Sequence, residues 1–148
     1  MGPDVACHAG EEDDDVSAEK DLSEALAAVG LSVPEALHRV HALGLTRLEP
    51  WSFLEAEELS SRLAGLTERY VTRRVVPFAG RQDDDDVACF LVAGEEGPPG
   101  TVLVIHDFAS PGWEVRQVFD SFWGWFRLAI EDLIEGSELD RGNDGPSD

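Results

Sequence analysis

At 148 residues the chain suits one domain with tails, and 43% apolar residues supply a core without help from disulfides or metal. The formal net charge of −20, from 31 acidic against 11 basic residues, argues against nucleic acid and against an anionic membrane surface, since both need clustered Lys and Arg. The same charge favours a basic protein partner, because complementary fields speed encounter and reject wrong partners. A purely solubilising acidity is the competing reading.

Residues 1–16 carry Glu11-Glu12-Asp13-Asp14-Asp15 and few large apolar groups, so they are expected to be a disordered acidic tail. They lack the basic start and apolar run of a signal peptide. No segment approaches the ~20 apolar residues of a membrane helix, and the expected home is the reducing cytoplasm. Cys7 falls in the tail and Cys89 in an apolar strand pattern, which gives no disulfide framework and makes Cys89 a small buried hydrophobe.

A folded domain is expected over residues 17–135. Its first helix runs from Ser17 to Val29, with Leu22, Ala25, Leu26 and Val29 on one face and Gly30 as its stop. A second helix starts near Ser32, where Ser32 and Glu35 have capping-box spacing, and ends at Gly44. His38 and His41 lie one turn apart on its outer edge, a spacing that can bind metal, but no acid or cysteine in the helix completes a site, so they read as surface histidines. Leu45 to Leu54 reads as extended, and Pro50 places any strand there at a sheet edge. A third helix covers Glu55 to Tyr70, with Leu59, Leu63, Leu66 and Tyr70 as its apolar stripe and Glu55, Glu57 and Glu58 in its first turn.

Strands follow at Arg74–Ala79, Asp86–Val92 and Thr101–Asp107. Parallel pairing needs crossovers of about a dozen residues or more, and these gaps are too short, so an antiparallel meander is expected. From Arg116 to Glu135, Val118, Phe119, Phe122, Trp125, Phe126, Ala129, Ile130, Leu133 and Ile134 recur near the helical period, predicting one long amphipathic C-terminal helix. Residues 136–148 are rich in Gly, Ser, Asp and Pro and read as a second disordered tail. The fold class is therefore α+β, a central antiparallel sheet flanked by helices.

Three constellations bear on function. Asp83, Asp84, Asp85 and Asp86 form an acidic turn that is solvated, a protein-contact patch or a metal site; a calcium loop would alternate its ligands and close with a glutamate, and this run does neither. His106-Asp107 ends a strand, but a metal phosphohydrolase would need further histidines and aspartates, and the other histidines are all far upstream. The chain also lacks a nucleophile elbow and a phosphate-binding glycine loop. Trp113, after Ser110-Pro111-Gly112, is either an exposed interface anchor or folded back over the sheet, and Trp51 beside Pro50 has the same two readings.

Val75-Val76-Pro77-Phe78-Ala79, the aspartate before Val87-Ala88-Cys89-Phe90, and the aromatic run Phe119-Asp120-Ser121-Phe122-Trp123-Gly124-Trp125-Phe126 follow in an order that resembles the Smi/Knr-type proteins of the SUKH superfamily. The likeness covers about Leu48 to Glu135. The N-terminal third departs from it, without the Asn-Gly-Gly segment many members carry. The resemblance implies an α+β domain and, for bacterial members, an immunity protein that neutralises a toxin by binding it; fungal relatives imply a regulatory scaffold. The reading that results is a non-enzymatic immunity protein for a cognate, basic protein toxin, with a nuclease suiting best. It has no cofactor, metal or small-molecule substrate, and its partner-binding candidates are Asp83, Asp84, Asp85, Asp86, His106, Asp107, Trp113 and Trp51. A cytoplasmic regulatory scaffold is the first alternative, and a metal-dependent enzyme using His106 and nearby aspartates the second.

Overall fold

The computed structural model describes the backbone of residues 19–144 and the side chains of residues 19–136. The expected tail over 1–16 lies outside these bounds. In chain order the elements are a helix over 19–28 (α1), α2 (Glu35–Ala42), β1 (Arg47–Leu48), β2 (Trp51–Phe53), α3 (Ala56–Arg69), β3 (Arg74–Arg81), β4 (Asp86–Ala93), β5 (Val102–His106), β6 (Val115–Phe119) and α4 (Phe122–Asp144). The six strands form one sheet in sequential order, and every neighbouring pair is antiparallel. This is the α+β architecture expected from the short gaps between apolar runs.

Pairing alternates the strand side chains between two cores. On one face Val76, Phe78, Ala88, Phe90, Val102 and Val104 meet Leu22 and Leu26 of α1, Leu37 and Val40 of α2, and Phe122, Trp125, Phe126 and Ala129 of α4. On the other, Val75, Val87, Cys89, Leu91, Leu103 and Ile105 meet Leu66 and Tyr70 at the end of α3. Pro77 sits inside β3, where a missing N–H would break a regular ladder; the register shifts between Pro77 and Ala79 and absorbs it. Gly30 and Gly44 take positive φ angles of 84° and 76° and end α1 and α2 as expected.

Four expectations change. α2 starts after Pro34, whose extended backbone is its N-cap without a side-chain hydrogen bond, so the Ser32–Glu35 capping box does not form. A residue before proline disfavours helical angles, which keeps Val33 out of the helix. His41 is buried, edge-on against Phe53 with ring centroids 4.8 Å apart, whereas His38 is exposed as expected. The segment read as the start of the C-terminal helix is instead β6, paired with β5 from Val102–Phe119 to Ile105–Val115. Val118 and Phe119 fit the helical phase by coincidence, while their β-branched and aromatic shapes suit a strand. Finally, α4 runs to Asp144 rather than ending at Glu135, with Gly136 inside it, where glycine costs about 1 kcal/mol relative to alanine.

Candidate functional site

One end of the sheet gathers the residues of interest. The β3–β4 turn (82–85) and the β5–β6 loop (107–114) leave the sheet side by side, joined by the Asp107 N–H donating to the Asp85 carbonyl at 3.0 Å. Antiparallel order dictates this: β3 and β5 both run toward that end, so their outgoing connections meet there.

Asp107 is fully buried and organises the loop. Its carboxylate accepts from Arg62 Nη1, Arg69 Nε and Arg69 Nη2, each at 2.8 Å, and from the Phe108 N–H at 2.8 Å. Both arginines project from α3, one at mid-helix and one in the last turn. A buried carboxylate is tolerable only when its lone pairs are used this fully. The hydrogen bond and charge of Asp107 raise the pKa of Arg69 further above its ordinary value. Tyr70 adds a tie, its hydroxyl donating to the Ala109 carbonyl at 2.7 Å, and burial pushes that phenol's pKa up.

The far end of the loop is clamped in the same way. Glu114 is 1% exposed, pairs with Arg73 and accepts from the Gly112 N–H at 2.6 Å. Arg73 also pairs with Glu96, whose pKa it lowers. Between the clamps, Phe108 and Trp113 are 62% and 81% exposed. The loop therefore displays two large rings on a backbone fixed at both ends by buried carboxylates paired with arginines.

The acidic turn is arranged residue by residue. Asp83 accepts from Arg81 Nε at 2.9 Å and Nη2 at 3.1 Å, and that bond lowers its pKa. Asp84 caps the Asp85 N–H. Asp86 meets His106 Nδ1 at 2.8 Å, with Asp84 at 3.4 Å from the same nitrogen. Asp84, Asp86 and His106 thus bring three possible ligand atoms within 4.8 Å of one another. A cation there would have to displace the His106–Asp86 contact and sit near Arg116, whose Nε is 3.7 Å from Asp86. Cys89 offers no nucleophile: it is fully buried, and desolvation raises its thiol pKa strongly.

Of the sequence-derived candidates, Asp83, Asp84, Asp85, Asp86, His106, Asp107 and Trp113 converge on this end. Trp113 resolves to the exposed alternative. Trp51 does not join it as a surface: it is 1% exposed, its ring T-shaped on Trp125 with centroids 5.4 Å apart and its indole N–H donated to Asp132 at 2.9 Å. Asp107 is likewise internal, and acts through the loop rather than by contact. Phe108, Glu114 and the arginines of α3 were not among the candidates. An Asp-Phe pair leaving a strand carries no local signal, because the arginines that define it lie 38 and 45 residues away.

The fold and this site define an α+β domain with a rigid aromatic loop beside an acidic turn. Comparison with family models, curated proteins and solved structures finds no match. No helix among the described residues is long and apolar enough to cross a membrane.

Proposed function

We propose that this chain is a non-enzymatic immunity protein that binds and occludes a basic protein toxin through the acidic turn at 82–86 and the loop at 107–114. The observation that carries the reading is Trp113, held 81% exposed by a loop whose carboxylates Asp107 and Glu114 are spent on internal arginines. Large exposed aromatics on a fixed backbone are what interface anchors require, since little freedom is lost on docking. The neighbouring aspartates and the net charge of −20 supply long-range attraction to a basic surface. The resemblance to Smi/Knr-type proteins supplies the kind of partner, and a nuclease, whose surface is basic, suits it best. Such an inhibitor works in the cytoplasm and needs no catalytic residue, cofactor or small molecule.

Co-expression with the product of the adjacent gene tests this. The wild-type chain restores growth, and a Trp113→Ala variant that folds normally does not. Equal rescue by both would move the interface elsewhere; no rescue by either would remove the immunity reading and leave the regulatory scaffold. A metal-dependent enzyme draws on the Asp84–Asp86–His106 cluster. Metal analysis separates it: the proposal expects no stoichiometric transition metal, whereas one ion per chain, lost in His106→Ala, would favour the enzyme.

A further inference from the structure

Phe108 is the one non-glycine among the described residues with a positive φ angle, 71°. A bulky side chain is strained in that conformation, and such strain persists only where surroundings impose it. Three contacts impose it here. The Asp107 carboxylate accepts the Phe108 N–H, Tyr70 holds the Ala109 carbonyl, and the Arg69 guanidinium lies over the Phe108 ring at 4.1 Å from its centroid. Glycine would make this turn without strain, as Gly112 does at φ 99° in the same loop. The ring gains little from burial, since it is 62% exposed. Neither backbone geometry nor core packing therefore accounts for phenylalanine at this position.

We propose that Phe108 is a second interface anchor, paired with Trp113, and that Asp107 with Arg69 is the positioning device that presets it for a protein whose apolar cleft is rimmed by lysine and arginine. This rests on the protein-binding reading above and adds to it the residue that fills the cleft. The rim follows from charge: the Asp107 N–H donates to the Asp85 carbonyl, which sets the acidic turn beside the loop that carries the rings. The same acidity opposes pairing this end with a second copy of the chain. Arg69 covers part of the ring and leaves the remainder to the partner.

The test separates anchoring from folding. Phe108→Gly relieves the backbone strain, so its thermal midpoint should equal or exceed that of the wild type. Its complex with the product of the adjacent gene should dissociate about thirtyfold faster or more, the scale of a hot spot. Asp107→Asn should lower the amide order parameters of residues 108–110, 112 and 113 and slow association, with Phe108 itself intact. Wild-type dissociation in Phe108→Gly overturns the inference while leaving the binding reading in place. No binding by the wild-type chain overturns both. Concentration-dependent dimerisation of the wild type, abolished by Phe108→Gly, would assign the ring to self-association and overturn it as well.

Discussion

The two faces of the sheet are held by different chemistry. Under α1, α2 and α4 a cluster of rings sits among the aliphatic side chains: Trp51, Phe53, Phe78, Phe122, Trp125 and Phe126 pack with centroids 5.0–6.4 Å apart in tilted, stacked and edge-on pairs. Under α3 the apolar layer is aliphatic apart from Tyr70 and gives way at the loop end to the Arg62–Asp107–Arg69 cluster. Apolar burial is non-directional and roughly proportional to area, so the first face mainly supplies stability. Buried ion pairs add little net stability but fix geometry, so the second face mainly decides where one loop sits. The exposed rings and the acidic turn lie at that same end of the sheet.

Substitutions sharpen that contrast. On the ring face, Phe122→Ala or Trp125→Ala should destabilise by about 3–5 kcal/mol in urea denaturation, the usual result of deleting a buried aromatic; an unchanged midpoint in both would break the assignment of α4 as the main cover. Asp107→Ala should cost about 2 kcal/mol, less than a fully sealed ion pair, because both arginines keep some access to water. Trp113→Ala should shift stability by no more than about 0.5 kcal/mol, as for other exposed positions. If it destabilised as much as Trp125→Ala, the two tryptophans would share one role and the comparison would fail.

Two smaller effects carry opposite pH signs. Arg73 lowers the pKa of Glu96, so the Glu96 contribution is present above the unfolded value and lost as pH falls through the folded one. Glu96→Gln should therefore cost up to about 1 kcal/mol at neutral pH, with the gap to wild type closing below about pH 4. The hydrogen bond His38 donates to the Glu19 carboxylate raises the His38 pKa, so its contribution is present below about pH 6.5 and lost as pH rises through the folded value. His38→Ala should lower the melting temperature slightly in acid and leave it unchanged in alkali.

The sequence disclosed what depends on local period and failed where distant residues decide. The apolar stripes of α1 and α3 and the apolar runs of β3, β4 and β5 were readable because each is set by its own segment. β6 was not, since Val118 and Phe119 satisfied the phase of the helix that follows. Trp51 and Trp113 each sit beside Pro or Gly, yet one packs on Trp125 and the other faces solvent; only the partner strand and helix distinguish them. The acidic turn and the exposed tryptophan were legible as a candidate surface. The clamp that fixes them was not, because Asp107 and its arginines meet only once α3 lies across the sheet.

The central claim is that the loop end of the sheet binds a basic protein. Surface plasmon resonance against the product of the adjacent gene, run across a salt series, tests it most directly. Charge attraction acts over roughly 10 Å at 0.1 M salt, so association should slow as salt rises. Replacing Asp83, Asp84 and Asp85 with Asn should slow it at low salt and flatten the dependence. Trp113→Ala should leave association nearly unchanged and speed dissociation, because a desolvated ring acts after docking. Association indifferent to salt, together with wild-type rates in both variants, would contradict the account and make this end of the sheet an ordinary solvated face.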